Sequence, residues 1–232
     1  MSRFIRTPEE LAAATAAHTL HSYIVGLDLG QSQDPTAESI IQRRKVPQLE
    51  LFAKVPDPPK YEIGYRLVHL KRLDLGTPYP AIVRHVRETM NTAPLTANNS
   101  RLVVDGTGVG RPVVDLFRQD GLKPVSITIT GGDGSSHTGD NYRVSKLELV
   151  SQLQAALHDG LLEITSGLRE LAALVSELQD FQRNQTATGY SQFSARVGKH
   201  DDMVLSVAVA LWFACQQDGK RPAAVGKFVT GG

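Results

Sequence analysis

The sequence predicts an α/β fold built on one mixed sheet, with three antiparallel strands followed by parallel strands and helices on both faces. The first half carries short apolar runs of strand length separated by turn residues, and the second half alternates strand-like and helical runs. Strands that alternate with helices form a sheet whose two faces are covered. We expect an N-terminal helix or linker at residues 1–22, one domain at residues 23–217 and a flexible C-terminal tail at residues 218–232.

Three strands are expected in the first half, where they are predicted to form an antiparallel meander. The run Tyr-Ile-Val-Gly-Leu-Asp-Leu at residues 23–29 is rich in β-branched residues. Alternating apolar residues predict further strands at residues 49–55 and 63–73, and the prolines between them force a break. Residues 31–37 are predicted to form a polar turn, and the helical spacing of apolar residues predicts a helix at residues 79–90.

The second half is predicted to alternate strands with helices. Short apolar runs indicate buried strands, and longer amphipathic or apolar runs indicate helices. The expected strands cover residues 102–105, 124–129 and 161–164, and the expected helices cover residues 112–119, 145–158, 168–181 and 200–215. A glycine-rich loop is expected at residues 130–141, and a polar hairpin around a Thr-Gly turn is expected at residues 183–198.

Composition limits the function without selecting one. The chain has 232 residues, 41% of them apolar, and a net charge of +1, so any nucleic-acid surface must be a local patch. Its one cysteine, Cys215, excludes an intramolecular disulfide and a cysteine-rich zinc site. A reducing cytoplasm, that of the host for a viral protein, fits this composition. No apolar run reaches the roughly 18 residues of a membrane helix, so we expect no membrane partner.

Three acidic positions carry the strongest chemical signal. Asp28 lies in the first apolar strand, Asp105 ends a later one, and the pair Asp201-Asp202 begins the last helix. A carboxylate among apolar strand residues is costly to bury unless it is paired or binds a metal. Hard oxygen ligands of this kind suit Mg²⁺ or Mn²⁺. Taken singly, Asp105 also fits a turn residue and Asp201 a helix cap.

Taken together, the four aspartates are expected to be the catalytic residues and to hold two metal ions. Two ions roughly 3.5–4 Å apart can clamp the attacking water and the leaving oxygen of a phosphodiester. Two further residues are candidates for supporting the ligands. Asp34 lies close in sequence to Asp28, although its place before Pro35 is also typical of a turn. His200 fits a proton shuttle beside the metals or a polar capping residue.

Basic residues are the candidates for contacts with DNA. Arg143 and Lys146 lie where a helix is predicted to begin, and they fit either phosphate contacts or an ordinary solvated helix turn. The predicted polar hairpin and its flank contain Arg183, Arg196 and Lys199 and no acidic residue. Such a segment can follow a phosphate backbone, although an ordinary polar surface hairpin has the same composition.

Several segments resemble the nuclease domain of phage terminase large subunits. They are Val-Gly-Leu-Asp-Leu-Gly-Gln-Ser-Gln-Asp-Pro-Thr-Ala at 25–37, Leu-Val-Val-Asp-Gly-Thr-Gly-Val-Gly at 102–110, Tyr-Arg-Val-Ser-Lys at 142–146, Thr-Ala-Thr-Gly-Tyr at 186–190 and Gly-Lys-His-Asp-Asp-Met-Val-Leu-Ser-Val-Ala-Val-Ala at 198–210. The Lys-His-Asp-Asp segment is the most specific of these. The resemblance implies an RNase H-like fold, two-metal cleavage of double-stranded DNA, and Asp28, Asp105, Asp201 and Asp202 as ligands.

Terminase large subunits also carry an ATPase motor, and this sequence contains no G-x-x-x-x-G-K-[ST] phosphate loop. The resemblance therefore implies the nuclease part alone, as an excised domain, a separately encoded nuclease or a relic. A separate ATPase motor and portal or small terminase proteins are its expected partners.

Three further functions fit parts of the same pattern. Gly-Leu-Asp-Leu-Gly-Gln-Ser at residues 26–32 and Asp-Gly-Thr-Gly at residues 105–108 also resemble the phosphate loops of actin-like and sugar-kinase-like ATPases. Those proteins need two such domains, whereas this chain has room for one. A Holliday-junction resolvase of the same fold and a DNA-binding remnant without activity fit as well, but the intact set of aspartates argues against the remnant.

Overall fold

The computed structural model describes residues 4–30, 34–108, 110–131, 134–187 and 201–219. In chain order, the elements in these ranges are α1 (Pro8–His18), β1 (Leu20–Asp28), β2 (Ala37–Pro47), β3 (Tyr61–Arg72), α2 (Tyr79–Met90), β4 (Ser100–Asp105), α3 (Gly110–Gln119), β5 (Val125–Thr130), β6 (Ser135–Thr138), β7 (Asn141–Ser145), α4 (Lys146–His158), β8 (Leu162–Ile164), α5 (Leu171–Ala187) and α6 (Asp202–Gln217).

A mixed sheet of eight strands forms the centre of the described structure, in the order β6-β7-β5-β4-β1-β2-β3-β8. The strands β1, β2 and β3 form an antiparallel meander. On the other side of β1, the strands β4, β5 and β7 follow in parallel, while β8 pairs in parallel with β3 and β6 pairs antiparallel with β7. The predicted fold, with antiparallel strands first and parallel strands afterwards, is confirmed.

Helices cover both faces of the sheet because successive strand residues point to opposite sides. Ile24 and Val103 belong to the core under α4, α5 and α6, on what we call the α6 face. Val25 and Val104 belong to the core under α2 and α3, on what we call the α3 face. Both faces of the central strands are thus buried, as is usual for parallel strands between two helical layers.

Helix α6 packs directly on the central strand β1. Its residues from Asp202 to Cys215 are all buried, in agreement with the apolar helix that the sequence predicts. A Cβ atom added to Gly26 would lie 2.2 Å from the carbonyl oxygen of Ser206 and 2.7 Å from the Cβ of Ala210. Only glycine permits so close an approach, and Gly26 therefore sets the distance between α6 and the sheet.

The second strand of the meander lies elsewhere than the sequence predicts. Residues 49–55 form turns, and the strand that pairs with β1 is β2, with Ala37 opposite Asp28. The basic run at residues 43–45 hides the strand character of β2, although its first half is buried. The apolar pattern at residues 49–55 is misleading because two of its large side chains, Leu51 and Phe52, are exposed.

Two further expectations about elements are wrong in part. The loop expected at residues 130–141 contains β6, which forms a hairpin with β7. Helix α5 continues to Ala187, so a hairpin does not begin at residue 183, and the rest of the hairpin expected at residues 183–198 lies outside the described residues.

At the other end of the domain, the Oδ2 atom of Asp218 accepts hydrogen bonds from Arg43 Nε and the Tyr65 hydroxyl, both at 2.7 Å. The sequence assigned Asp218 to the tail.

None of the helices in the described ranges combines the length and the apolar character that crossing a bilayer requires.

Candidate metal centre

Asp28 and Asp105 end neighbouring parallel strands and lie side by side. In the pairing of β1 with β4, Leu27 is opposite Val104, so the next residue of each strand is an aspartate. Asp105 pairs with Ile127, whose side chain lies in the core of the α6 face. The alternation of β1 places Asp28 on that same face. The topology therefore brings together two carboxyl groups that the sequence places 77 residues apart.

The carboxyl groups of Asp28 and Asp105 are close enough to act on each other's pKa. Burial raises the pKa of Asp28 well above its usual range, and the negative charges of Asp105, Asp201 and Asp202 raise it further. Burial also raises the pKa of Asp105, although hydrogen bonds from Thr107 partly oppose this. Like charges this close oppose the ionisation of both groups, and a bound cation would relieve that opposition.

Thr107 holds the Asp105 carboxylate in position. Its backbone N–H and its hydroxyl both donate to Asp105 Oδ1, at 2.8 and 2.5 Å. The Thr107 Oγ1 atom in turn accepts a hydrogen bond from the backbone N–H of Ile129 at 2.8 Å. This chain of contacts fixes Asp105 to β5. In the sequence, this role of Thr107 is indicated only by its place in the Asp-Gly-Thr-Gly turn at residues 105–108.

Asp201 and Asp202 bring two more carboxylates to the same place from the start of α6. Asp201 is the N-cap residue and Asp202 the first helical residue, and both act on the pKa of Asp28. Lys146 Nζ lies 2.5 Å from Asp201 Oδ2. The structure thus brings Lys146 together with the four aspartates. The sequence analysis had placed both Lys146 and Arg143 near the start of α4.

Arg72 and Glu177 belong to the site, and the sequence analysis missed both. Arg72 ends β3, where it pairs with Ala37, which itself pairs with Asp28. Arg72 Nε donates to Asp202 Oδ2 at 2.7 Å, and Arg72 also pairs with Glu177 Oε1. Glu177 Oε2 accepts the backbone N–H of Val204 at 3.0 Å. Glu177 could have been suspected from the sequence, because it is an acid within the apolar stripe of α5.

Burial raises the pKa of Glu177 to about 7, and the charges of Asp202 and Asp201 contribute to this increase. The hydrogen bond from the backbone N–H of Val204 and the charge of Arg72 act to lower the same pKa. Among the residues that the structure describes, the site therefore contains more acids than its two neighbouring cations, Lys146 and Arg72, can neutralise. Such an excess of negative charge is what a divalent cation offsets.

The donor set fits Mg²⁺ or Mn²⁺ in chemistry. The groups are carboxylate oxygens, which hard divalent cations prefer, and carboxyl groups with raised pKa values gain most from a cation. Among the described residues, no three His, Cys, Asp or Glu side chains already stand around a common point. Ion binding would therefore require the carboxylates to turn toward one another from their present partners.

The remaining candidates from the sequence are not gathered at this centre, or lie outside what is described. Arg143 is exposed on β7, beside Thr128 of β5. Asp34 is exposed just before β2. The backbone of Arg183 lies in α5. Arg196, Lys199 and His200 fall outside the described residues.

The comparisons with known proteins support the fold. The sequence matches no family profile and no curated protein. The structure is similar to the large terminase nuclease from thermophilic phage G20c, with a TM-score of 0.51 and 20% identity over 83% of this chain and 82% of that one. It is also similar to the nuclease domain of g2p, the large terminase of bacteriophage SPP1, solved with bound Mn, with a TM-score of 0.41 and 14% identity over 92% and 93% of the two chains.

The likeness to the G20c nuclease confirms the RNase H-like fold that the resemblance implies. The chain has the fold of a phage large terminase nuclease, and the match covers most of both chains in the G20c comparison.

Proposed function

We propose that the protein is a metal-dependent endonuclease that hydrolyses the phosphodiester bonds of double-stranded DNA. The observation that carries the proposal is the convergence of Asp28, Asp105, Asp201 and Asp202 at one edge of the sheet, where their charges act on one another. The fold shared with a terminase nuclease agrees with it. A structural cluster would instead pair each acid with a cation, and within the described ranges the acids of this site outnumber the cations.

The four aspartates would hold two Mg²⁺ or Mn²⁺ ions, and both Asp28 and Asp105 would be ionised in that state. When bound, such ions activate water and stabilise the leaving oxygen in phosphodiester hydrolysis. Thr107 keeps Asp105 oriented. Lys146 offsets the charge of Asp201 and would contact a phosphate oxygen of the bound DNA. Asp34 and His200 remain candidates for supporting these groups.

The partners follow from the same proposal. We propose that an ATPase motor, with portal or small terminase proteins, would move the DNA, as the resemblance to terminase large subunits implies. The nuclease chemistry itself needs no nucleotide. The proposed setting is the cytoplasm, which for a viral protein is that of the host cell.

The test is a cleavage assay with purified protein and supercoiled plasmid, in Mg²⁺, Mn²⁺ or EDTA and with or without ATP. We expect nicked and linear products with either metal, none in EDTA and no requirement for ATP. The substitution Asp105→Asn should abolish cleavage, since it removes a charge that the metals need. Asp159→Asn is the matched control, because Asp159 is an exposed acid at the end of α4.

Cleavage in EDTA, or undiminished cleavage by Asp105→Asn, would refute the metal assignment. Cleavage that strictly requires ATP would instead favour an actin-like ATPase. A preference for four-way junctions over linear duplex would favour a resolvase of the same fold.

A further inference from the structure

A polar groove of about 790 Å³ lies beside the candidate metal centre, between α3 and the strands β5, β7 and β6. We call it the β5–β7 groove. Its floor consists of two rows of neighbouring residues that cross the three strands: Ser126, Asn141 and Thr138 in one row, and Thr128, Arg143 and Ser136 in the other. These side chains alternate with Val125, Ile127 and Val144, which are buried in the core of the α6 face. The floor therefore belongs to the α3 face.

The chemistry of the floor is that of a phosphate-binding surface. Every floor side chain carries a hydrogen-bond donor, and none is an acid. The wall contributed by α3 adds one acid, Asp115, which is paired with Arg118 of the same helix at 3.0 Å. Because Asp115 and Arg118 offset each other, Arg143 gives the lining of the groove a net positive charge. Arginine, serine, threonine and asparagine side chains are the groups that contact DNA phosphates and sugars without reading sequence.

The groove opens directly beside a proposed metal ligand. Gly106 and Gly108 line it, and they flank Thr107, which holds the Asp105 carboxylate. Neither glycine has a side chain to block a strand that passes from Asp105 into the groove, and Gly108 has a φ of 74°. The Asp105 carboxylate lies on the α6 face and the groove floor on the α3 face, so a DNA strand with its scissile phosphate at Asp105 would cross the turn at Gly106 and Gly108 to bring its following phosphates into the groove.

We propose that the β5–β7 groove holds the sugar–phosphate backbone of the cleaved DNA strand on one side of the scissile phosphate. This inference rests on the proposed nuclease function. It adds Ser126, Thr128 and Ser136 as backbone contacts that the sequence did not indicate. It also gives Arg143 a role away from the metals, where it would position the strand without contacting the reacting phosphate.

Site-directed crosslinking tests this placement directly. The single cysteine of the chain, Cys215, is buried, so one introduced thiol would be the reactive one. The variant Ser136→Cys puts that thiol in the groove. The variant Ser166→Cys puts it just after β8, at the opposite end of the sheet from β6. Both residues are exposed, so neither substitution should disturb folding.

The probe is a duplex oligonucleotide with one phosphate tethered to a thiol as a mixed disulfide, used in EDTA so that no cleavage occurs. We expect Ser136→Cys to crosslink to this DNA at least tenfold more than Ser166→Cys. Equal crosslinking by the two variants would overturn the proposal. So would the absence of any crosslink at Ser136→Cys with the tether placed at each phosphate in turn.

A charge substitution gives an independent measurement. Removing one phosphate contact lowers the slope of log K against log salt by about 1. We expect this for Arg143→Ala and not for Arg84→Ala, since Arg84 is exposed on α2, away from the groove. If wild-type protein cuts plasmid but the two variants have the same slope of log K against log salt, the groove proposal is refuted and the proposed nuclease function is not. If wild-type protein cuts no DNA under any metal condition, the proposed function fails.

Discussion

Replacing Gly26 with alanine should weaken both the fold and the proposed site, because this residue sets the approach of α6 to the sheet. The new Cβ would lie 2.2 Å from Ser206 O, 2.7 Å from the Cβ of Ala210 and 2.9 Å from Ser39 Oγ. Nonbonded carbon atoms pack at roughly 3.5–4.0 Å, so α6 must retreat by about 1 Å. Overpacking of this kind costs about 1–3 kcal/mol, or about 2–12 °C in Tm for a domain of this size.

The same retreat would carry Asp201 and Asp202 away from Asp28 and Asp105. A displacement of about 1 Å in a catalytic group can cost roughly 100-fold in rate, so we expect plasmid cleavage to fall by about that factor. The control is Gly64→Ala in β3, because a Cβ there has no atom within 4 Å. Thermal unfolding and cleavage are measured on all three proteins. If Gly26→Ala matches Gly64→Ala in both, the packing argument is wrong.

Two further predictions rest on individual contacts, and a third rests on the acid-free basic segment of the sequence. Thr107→Val should lower cleavage by about 10-fold or more with little change in Tm, since the Asp105 carboxylate loses a hydroxyl donor, and equal rates for variant and wild type would contradict this. Replacing Arg183, Arg196 and Lys199 together with alanine should lower the salt dependence of DNA binding, and an unchanged slope of log K against log salt would show that they do not contact the backbone. Burial opposes ionisation of Glu38, but two neighbouring histidines lower its pKa to about 2, so it should stabilise the fold above about pH 4.5 and lose that contribution as pH falls toward 2. The loss should be on the order of 3 kcal/mol in unfolding free energy and should be absent in Glu38→Gln, and equal acid sensitivity of the two proteins would refute it.

The sequence predicted those elements whose own residues determine them. Helix α2 has the predicted bounds because Ile82, Val83 and Val86 form a buried stripe at helical spacing. By contrast, β2 was missed because its place in the sheet depends on pairing with β1 and β3 on both sides. That pairing outweighs the weak strand propensity of its basic half, and it leaves no signal in the local pattern.

The same distinction applies to the site. The aspartates could be found because acids within or beside apolar segments are unusual in sequence. Arg72 and Glu177 could not, since they are 105 residues apart and their contact is created by the packing of α5 and α6 on the sheet. Their roles also depend on a third residue, Asp202, in another helix. No local pattern contains a cluster assembled from three distant elements.

The contacts of Arg72 distinguish two aspartates that the sequence could not separate. Asp202 has a side chain that is 5% exposed, and both of its oxygens contact the guanidinium group of Arg72, at 2.7 and 3.1 Å. Asp201 is 21% exposed, and its contact with Lys146 involves a single, rotatable ammonium group. Turning Asp202 toward a metal would break two contacts of the half-buried Arg72 cation and leave it with its Glu177 contact, which is costly, whereas Asp201 can turn while Lys146 follows it or moves into solvent. If the proposed metal centre forms, these contacts would favour Asp201 as the primary ligand from α6, while Asp202 anchors the start of that helix to β3.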